Sequence, residues 1–223
     1  TTLTTKKPQG NTSAHLVLAR DGAITQLAPF NVITWHAGVS QWDGIVGLNS
    51  ASIGIEIDNA GPLNIVGGKF VAWFGREYPA SEVMLAAHRH GGPERPWHAY
   101  TPVQIERCLE LAELLVRRYG LLGVLGHDDI ARGRKLDPGP AFPLGSIAAR
   151  ALGREDGDRG DVPAGRDAVH VDVAVVPARE ERVVRVVLTG LHVGLLRGAP
   201  AGAPALVRHA SRGHREHPRG HQC

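Results

Sequence analysis

Residues 101–126 read TPVQIERCLELAELLVRRYGLLGVLG, a helix signal followed at once by a strand signal. Thr101 is a good N-cap, Pro102 is preorganised for the first helical position, and Gln104 stands where a capping box needs it. Ile105, Cys108, Leu109, Ala112, Leu115, Val116 and Tyr119 then recur at intervals of three and four, with Glu106, Arg107, Glu110, Glu113, Arg117 and Arg118 between them. That spacing predicts an amphipathic helix with one buried stripe, closed by Gly120 as C-cap. Leu121–Gly126 is too short and too apolar for a second helix, so a buried strand is expected, delivering His127 at its end. A helix feeding directly into a strand indicates an α/β domain.

Upstream, Ser52–Asp58 (SIGIEID) alternates Ile53, Ile55 and Ile57 with Gly54, Glu56 and Asp58, which predicts a half-buried strand with Glu56 on its polar face. His15–Arg20 and Ile24–Leu27 flank Asp21-Gly22 and read as a hairpin. Residues 62–100 are rich in Gly, Pro, aromatics and His, and are expected to be irregular with at most a short hairpin. Residues 146–152 suit a last helix.

The 223 residues carry 25 basic and 22 acidic side chains, a balance too even to suggest nucleic-acid binding. No segment approaches the roughly 20 consecutive apolar residues of a membrane-spanning helix. Two cysteines, Cys108 and Cys223, exclude a disulfide-stapled fold and a cysteine-rich zinc module. Composition changes sharply near residue 150. Every Trp, Tyr and Phe precedes it, and residues 151–223 also lack Lys, Asn, Ile and Met. Strand-like stretches at 169–176 and 183–188 aside, this tail is dominated by Gly, Ala, Pro, Arg and His, and is expected to be poorly ordered. The same vocabulary arises when GC-rich coding sequence is read out of frame. Its histidines, His209, His214, His217 and His221, lack the rigid scaffold of a metal site. The expected organisation is one domain over 1–150 and a biased tail over 151–223.

Candidate chemistry gathers in three places: WHAG at 35–38, Glu56, and GHDDIARGRKLDPGP at 126–140. His127 at a strand end and Asp137 in a loop stiffened by Pro138 and Pro140 are suitable zinc ligands, but the spacing alone is equally that of a solvated loop with His127 capping a strand. His88, His90 and His98 are expected to be exposed loop histidines, His15 a hydrogen-bonded sheet residue, and Cys108 a core residue.

Taken in order, SAHLVLARDGAITQLAPFNVITWHAGVSQWDG, LNSASIGIEIDNAG, YTPVQIERCLELAELLVRRYG and GHDDIARGRKLDPGPAFP resemble successive blocks of the zinc-dependent N-acetylmuramoyl-L-alanine amidases of type 2, a family related to peptidoglycan recognition proteins. The resemblance spans about residues 13–145. It implies a mixed β-sheet flanked by helices, a shallow groove for peptidoglycan or muropeptides, and hydrolysis of the amide joining N-acetylmuramic acid to L-alanine in a bacterial envelope or cytoplasm. By position it makes His127 and Asp137 two of three Zn2+ ligands, Glu56 the carboxylate assisting the zinc-bound water, and Lys135 the cation beside the oxyanion. Trp35 and Asn49 fall on the substrate side, and His36 either there or in a supporting place behind the ligands.

In these amidases the third ligand is a histidine on an early strand, and this chain has no histidine before His15. One ligand and one strand are therefore expected to be missing from a chain that is N-terminally incomplete. Weak zinc binding and impaired hydrolysis follow from two ligands, and a non-catalytic peptidoglycan-binding domain is the alternative.

Overall fold

The computed structural model describes residues 12–154 and 185–191. The central sheet contains β1 (Leu16–Leu18), β2 (Ile24–Gln26), β5 (Ser52–Asp58), β11 (Gly123–Gly126) and β12 (Arg185–Leu191) in the order β11-β12-β5-β1-β2. β1 and β2 form the antiparallel hairpin expected across Asp21-Gly22, where Gly22 has φ 85° and the Asp21 carboxylate accepts from the Ala23 N–H at 3.0 Å. All other neighbours are parallel, which makes the sheet mixed, as expected. Helices α1 (Pro102–Tyr119) and α3 (Leu144–Ala151) pack on each other against one face, and the single turn α2 (His127–Ile130) starts where β11 stops.

Helix α1 forms for the reasons legible in its residues. Thr101 accepts from the Gln104 N–H at 3.2 Å, and the Gln104 side chain returns the bond to the Thr101 N–H at 3.1 Å. Gly120 ends the helix with φ 61°. Gln104 is also fully buried and donates to the Asp58 carbonyl at 2.8 Å, so the cap doubles as the fastening between α1 and the end of β5. Replacing Thr101 with Ala is expected to cost about 1 kcal/mol, read as a lower denaturant midpoint at unchanged m-value. The buried stripe of Cys108, Leu109, Ala112 and Leu115 meets Ile53, Ile55 and Ile57 of β5 and Leu188 of β12, and Leu111, outside the expected stripe, is buried with them.

Two expectations need correction. Strand β5 is buried on both faces rather than half-exposed, because the WHAG segment and a second cluster containing Ala37, Leu48, Leu125 and Val187 cover its polar side. Residues 62–100 are more regular than expected. They form a meander of β6 (Asn64–Val66), β7 (Lys69–Val71) and β8 (Glu77–Tyr78), then a hairpin of β9 (Val83–Ala86) and β10 (Arg95–His98). All are short, and all but β10 are largely exposed, so they lack the alternation by which strands are read. Between β5 and β11 lies β12, which runs parallel to both. Residues 183–188 had read as strand-like, whereas the stretch at 169–176 and the four tail histidines lie outside the described residues.

Candidate active site

The parallel ladder brings the C-terminal ends of β5, β12 and β11 side by side, and the expected chemistry lies there. Glu56 pairs in register with Thr189, and Gly126, at the end of β11, pairs with Leu188. His127 follows directly. Asp137 reaches it from a loop held at several points: the Asp128 N–H donates to the Asp137 carbonyl at 2.8 Å, and Tyr100 Oη donates to the Pro138 carbonyl at 3.1 Å. Gly139 keeps that loop against Trp97, since a Cβ there would come within 2.7 Å of the indole.

His127 is buried with its two ring nitrogens in different company. Nε2 lies 3.2 Å from the Ala37 carbonyl, which can only accept, so Nε2 carries the hydrogen. Nδ1 lies 2.9 Å from Asp137 Oδ2. In the neutral ring this sets a nitrogen lone pair against a carboxylate oxygen, two acceptors with no hydrogen between them. A proton on Nδ1, which makes the pair a charge-assisted hydrogen bond, or a metal ion in its place resolves the conflict, and a metal-binding histidine ordinarily donates its other N–H to a carbonyl in this way. The donor set therefore suits a divalent metal ion. Burial pushes the Asp137 carboxyl upward, but the hydrogen bond and charge of His127, the charge of Lys135 and the Gly190 N–H together hold it below its ordinary value.

Glu56 is almost wholly enclosed. Burial pushes its carboxyl up to about 7; Thr189, by hydrogen bonding, works against this, the Asp137 charge adds to it, and His127 and Lys135 oppose it. The four residues expected to do chemistry thus lie within electrostatic reach of one another. A carboxylate that changes protonation near neutrality in a water-poor site is matched to a general base.

The three residues expected on the substrate side are placed differently. The indole of Trp35 is about half exposed (53%) and open to a ligand. His36 takes the supporting one of its two expected places: it is buried, with Nδ1 2.8 Å from Thr34 Oγ1 and Nε2 2.8 Å from Ser52 Oγ. Burial first, then the neighbouring His15 and His127 rings, push it down to about 3, so it is a neutral strut behind the site. Asn49 also faces inward, its side-chain oxygen accepting from the Ala37 N–H at 2.7 Å. Both hold the turn whose Ala37 carbonyl orients His127. Arg134, read from sequence only as part of a charged loop, donates to the same carbonyl at 3.0 Å and to that of Val39 at 2.7 Å.

His15 is hydrogen-bonded within the sheet, its Nε2 donating to the Val32 carbonyl at 2.9 Å. His88 and His98 are buried rather than exposed, because β9, β10 and the 136 loop close over them; His90 stays at the surface. His90, Asp128 and Asp129 bring ligand atoms within 4.8 Å of one another, but Arg89 pairs with both carboxylates and already supplies their counter-charge.

Two clefts meet at Arg134. One, of about 260 Å³, is bordered by Lys135, Asp137, Trp97 and Gly190; the other, of about 550 Å³, lies between α2 and the hairpin of β3 (Gln41–Trp42) and β4 (Ile45–Val46). The smaller cleft reaches Asp137 of the His127–Asp137 pair. No helix among the described residues is long and apolar enough to cross a membrane.

A buried histidine–carboxylate pair suited to a metal, with a carboxyl titrating near neutrality beside it, is the equipment of a metal-assisted hydrolase. The profile of the N-acetylmuramoyl-L-alanine amidase family matches residues 1–140, and the chain belongs to that family. It is similar to the N-acetylmuramoyl-L-alanine amidase AmiD of Escherichia coli K12, 35% identical over 132 residues that make up 58% of this chain and 38% of AmiD. To the 1,6-anhydro-N-acetylmuramyl-L-alanine amidase AmpD of the same organism it is 33% identical over 132 residues, 58% of this chain and 53% of AmpD. The structure of E. coli AmiD with anhydro-N-acetylmuramic acid-L-Ala-D-γ-Glu-L-Lys aligns with a TM-score of 0.49 at 30% identity, covering 69% of this chain and 51% of that one. The chain spans about half the length, or less, of these curated relatives.

Proposed function

We propose that the protein hydrolyses the amide between the lactyl group of N-acetylmuramic acid and L-alanine, in peptidoglycan or in soluble muropeptides, with zinc as its metal. The observation that carries this reading is the His127 Nδ1–Asp137 Oδ2 apposition, with Nε2 committed to a carbonyl, beside a Glu56 carboxyl pushed up to about 7. His127 and Asp137 would hold the ion, which when bound supplies an electrophile for the amide carbonyl and lowers the pKa of water toward about 7. Glu56 takes the proton of the attacking water and returns it to the departing L-alanine nitrogen. Lys135, at the mouth of the smaller cleft, offers its ammonium to the charge that develops on the amide oxygen. Trp35 presents a ring face to the sugar or the peptide, and Arg134, where the two clefts join, steadies the turn beneath the scissile bond.

The two protein ligands found among the described residues hold zinc less tightly than the three usual in hydrolytic sites, so with these alone the ion is expected to exchange readily. Incubating the full chain with a muramoyl tripeptide and excess zinc, followed by mass spectrometry, is expected to show release of the L-alanine-headed peptide, and removal by a chelator to stop it. Binding of the muramoyl peptide without release would favour a non-catalytic peptidoglycan-binding domain instead.

A further inference from the structure

We infer that Thr189 and Gly190 of β12, which lie outside the stretch matched by the family, are positioning residues of this site, acting through Glu56 and Asp137 respectively. The inference rests on the amidase reading. Thr189 is buried opposite Glu56 in the parallel ladder, donates to the Ile55 carbonyl at 3.2 Å and is a hydrogen-bonding neighbour of the Glu56 carboxyl. A hydroxyl has one hydrogen and two lone pairs. When Glu56 is ionised, that hydrogen can turn to the carboxylate. When Glu56 has taken up a proton, Thr189 can accept it in a hydrogen bond while donating to Ile55. One side chain thereby partners the base before and after proton uptake, and the carboxyl keeps its place through the cycle.

Gly190 serves the metal side. Its N–H donates at 3.1 Å to Asp137 Oδ2, the oxygen that also faces His127 Nδ1. A Cβ at 190 would come within 3.1 Å of Asp137 Cβ, so only glycine lets the carboxylate approach this far without displacement. Groups that orient a metal ligand in this way change metal affinity by roughly 10–100-fold when disturbed.

The test uses the full chain with Gly190→Ala, Thr189→Val, Thr189→Ser and, as a core control, Val187→Ala, since Val187 is fully buried in the same strand away from Glu56. Zinc affinity is measured by chelator competition, and the Glu56 carboxyl is followed by 13C NMR in the metal-free protein. Gly190→Ala is expected to weaken zinc binding at least about tenfold. Val187→Ala should lower the melting temperature without changing zinc affinity per folded molecule. Thr189→Val should leave zinc affinity within about twofold, by the same measure, yet shift the Glu56 titration to higher pH and lower kcat at unchanged KM; Thr189→Ser should restore both. Unchanged zinc affinity in Gly190→Ala, or a wild type that binds no zinc, overturns the role of Gly190, and an unmoved Glu56 signal in Thr189→Val overturns that of Thr189. Neither readout needs turnover, so a chain that binds zinc but hydrolyses no muramoyl peptide refutes the amidase reading while still deciding both residues.

Discussion

A chain ending at Arg154 is expected to lose its cooperative thermal transition. Among the described residues β12 is the only strand paired with β11, and it lies against β5 along its whole length, from Arg185 opposite Ser52 to Leu191 opposite Asp58. Its removal leaves a slot through the middle of the sheet and opens two rows of backbone donors and acceptors. It also strips Val187 and Leu188 from the two clusters that cover opposite faces. Full burial of each such side chain contributes about 1.5–3 kcal/mol, and each ladder hydrogen bond about 0.5–1.5 kcal/mol net. Against a domain stability of roughly 5–15 kcal/mol, the combined loss is as large as the whole margin. Circular dichroism of the 1–154 chain should show a shallow, non-cooperative melt, and adding the 185–191 peptide should recover part of the transition. A 1–154 chain that melts sharply at the full-length midpoint would show that the tail is foreign to the fold.

Glu56→Gln is expected to lower muramoyl-peptide hydrolysis by about 10²–10⁴-fold while leaving zinc affinity nearly unchanged, because the carboxyl stands beside the His127–Asp137 pair rather than within it. The pH dependence of the wild type carries the same signature. Burial, reinforced by the Asp137 charge, pushes Glu56 up to about 7, so the base is ionised only above that value and kcat/KM should fall as pH drops through it. A bound cation would move this limb to lower pH without reversing its direction. Stability runs the other way. The folded state prefers the protonated acid, so this group's contribution is complete below the unfolded carboxyl range and is lost as pH rises through about 7. The glutamine variant should therefore melt higher than the wild type above neutrality and show a weaker pH slope. Wild-type hydrolysis rates in Glu56→Gln would remove Glu56 from the reaction.

What was legible in the residues is what is local. Thr101, Pro102, Gln104 and Gly120 announce α1 because caps depend on a few adjacent positions. Asp21-Gly22 announces the first hairpin for the same reason. The spacing of His127 and Asp137 fits a ligand pair and a solvated loop alike, and it is the resemblance of the whole 126–143 block to the amidases that separates the two. The pairing of Thr189 with Glu56 could not be read, since a parallel contact between distant segments leaves no periodic trace in either. Likewise, nothing local distinguishes a histidine such as His36 that turns inward from one that lines a groove; Thr34 and Ser52 decide it, from separate elements. His88 and His98 read as exposed loop histidines because what buries them is the three-dimensional closure of β9 and β10, not their own neighbours in sequence.

The imidazole of His36 occupies the space that a side chain on Gly54 would fill, so that any Cβ on residue 54 would fall on the ring itself. Strand β5 thus has a socket one side chain wide, two residues before its carboxylate, and the turn bearing Ala37 is plugged into it. For sequence change this makes residues 36 and 54 one steric unit. Enlarging either requires shrinking the other, and a drift that honours this trade in volume but gives up the imidazole would keep the sheet closed while letting the Ala37 carbonyl wander from His127.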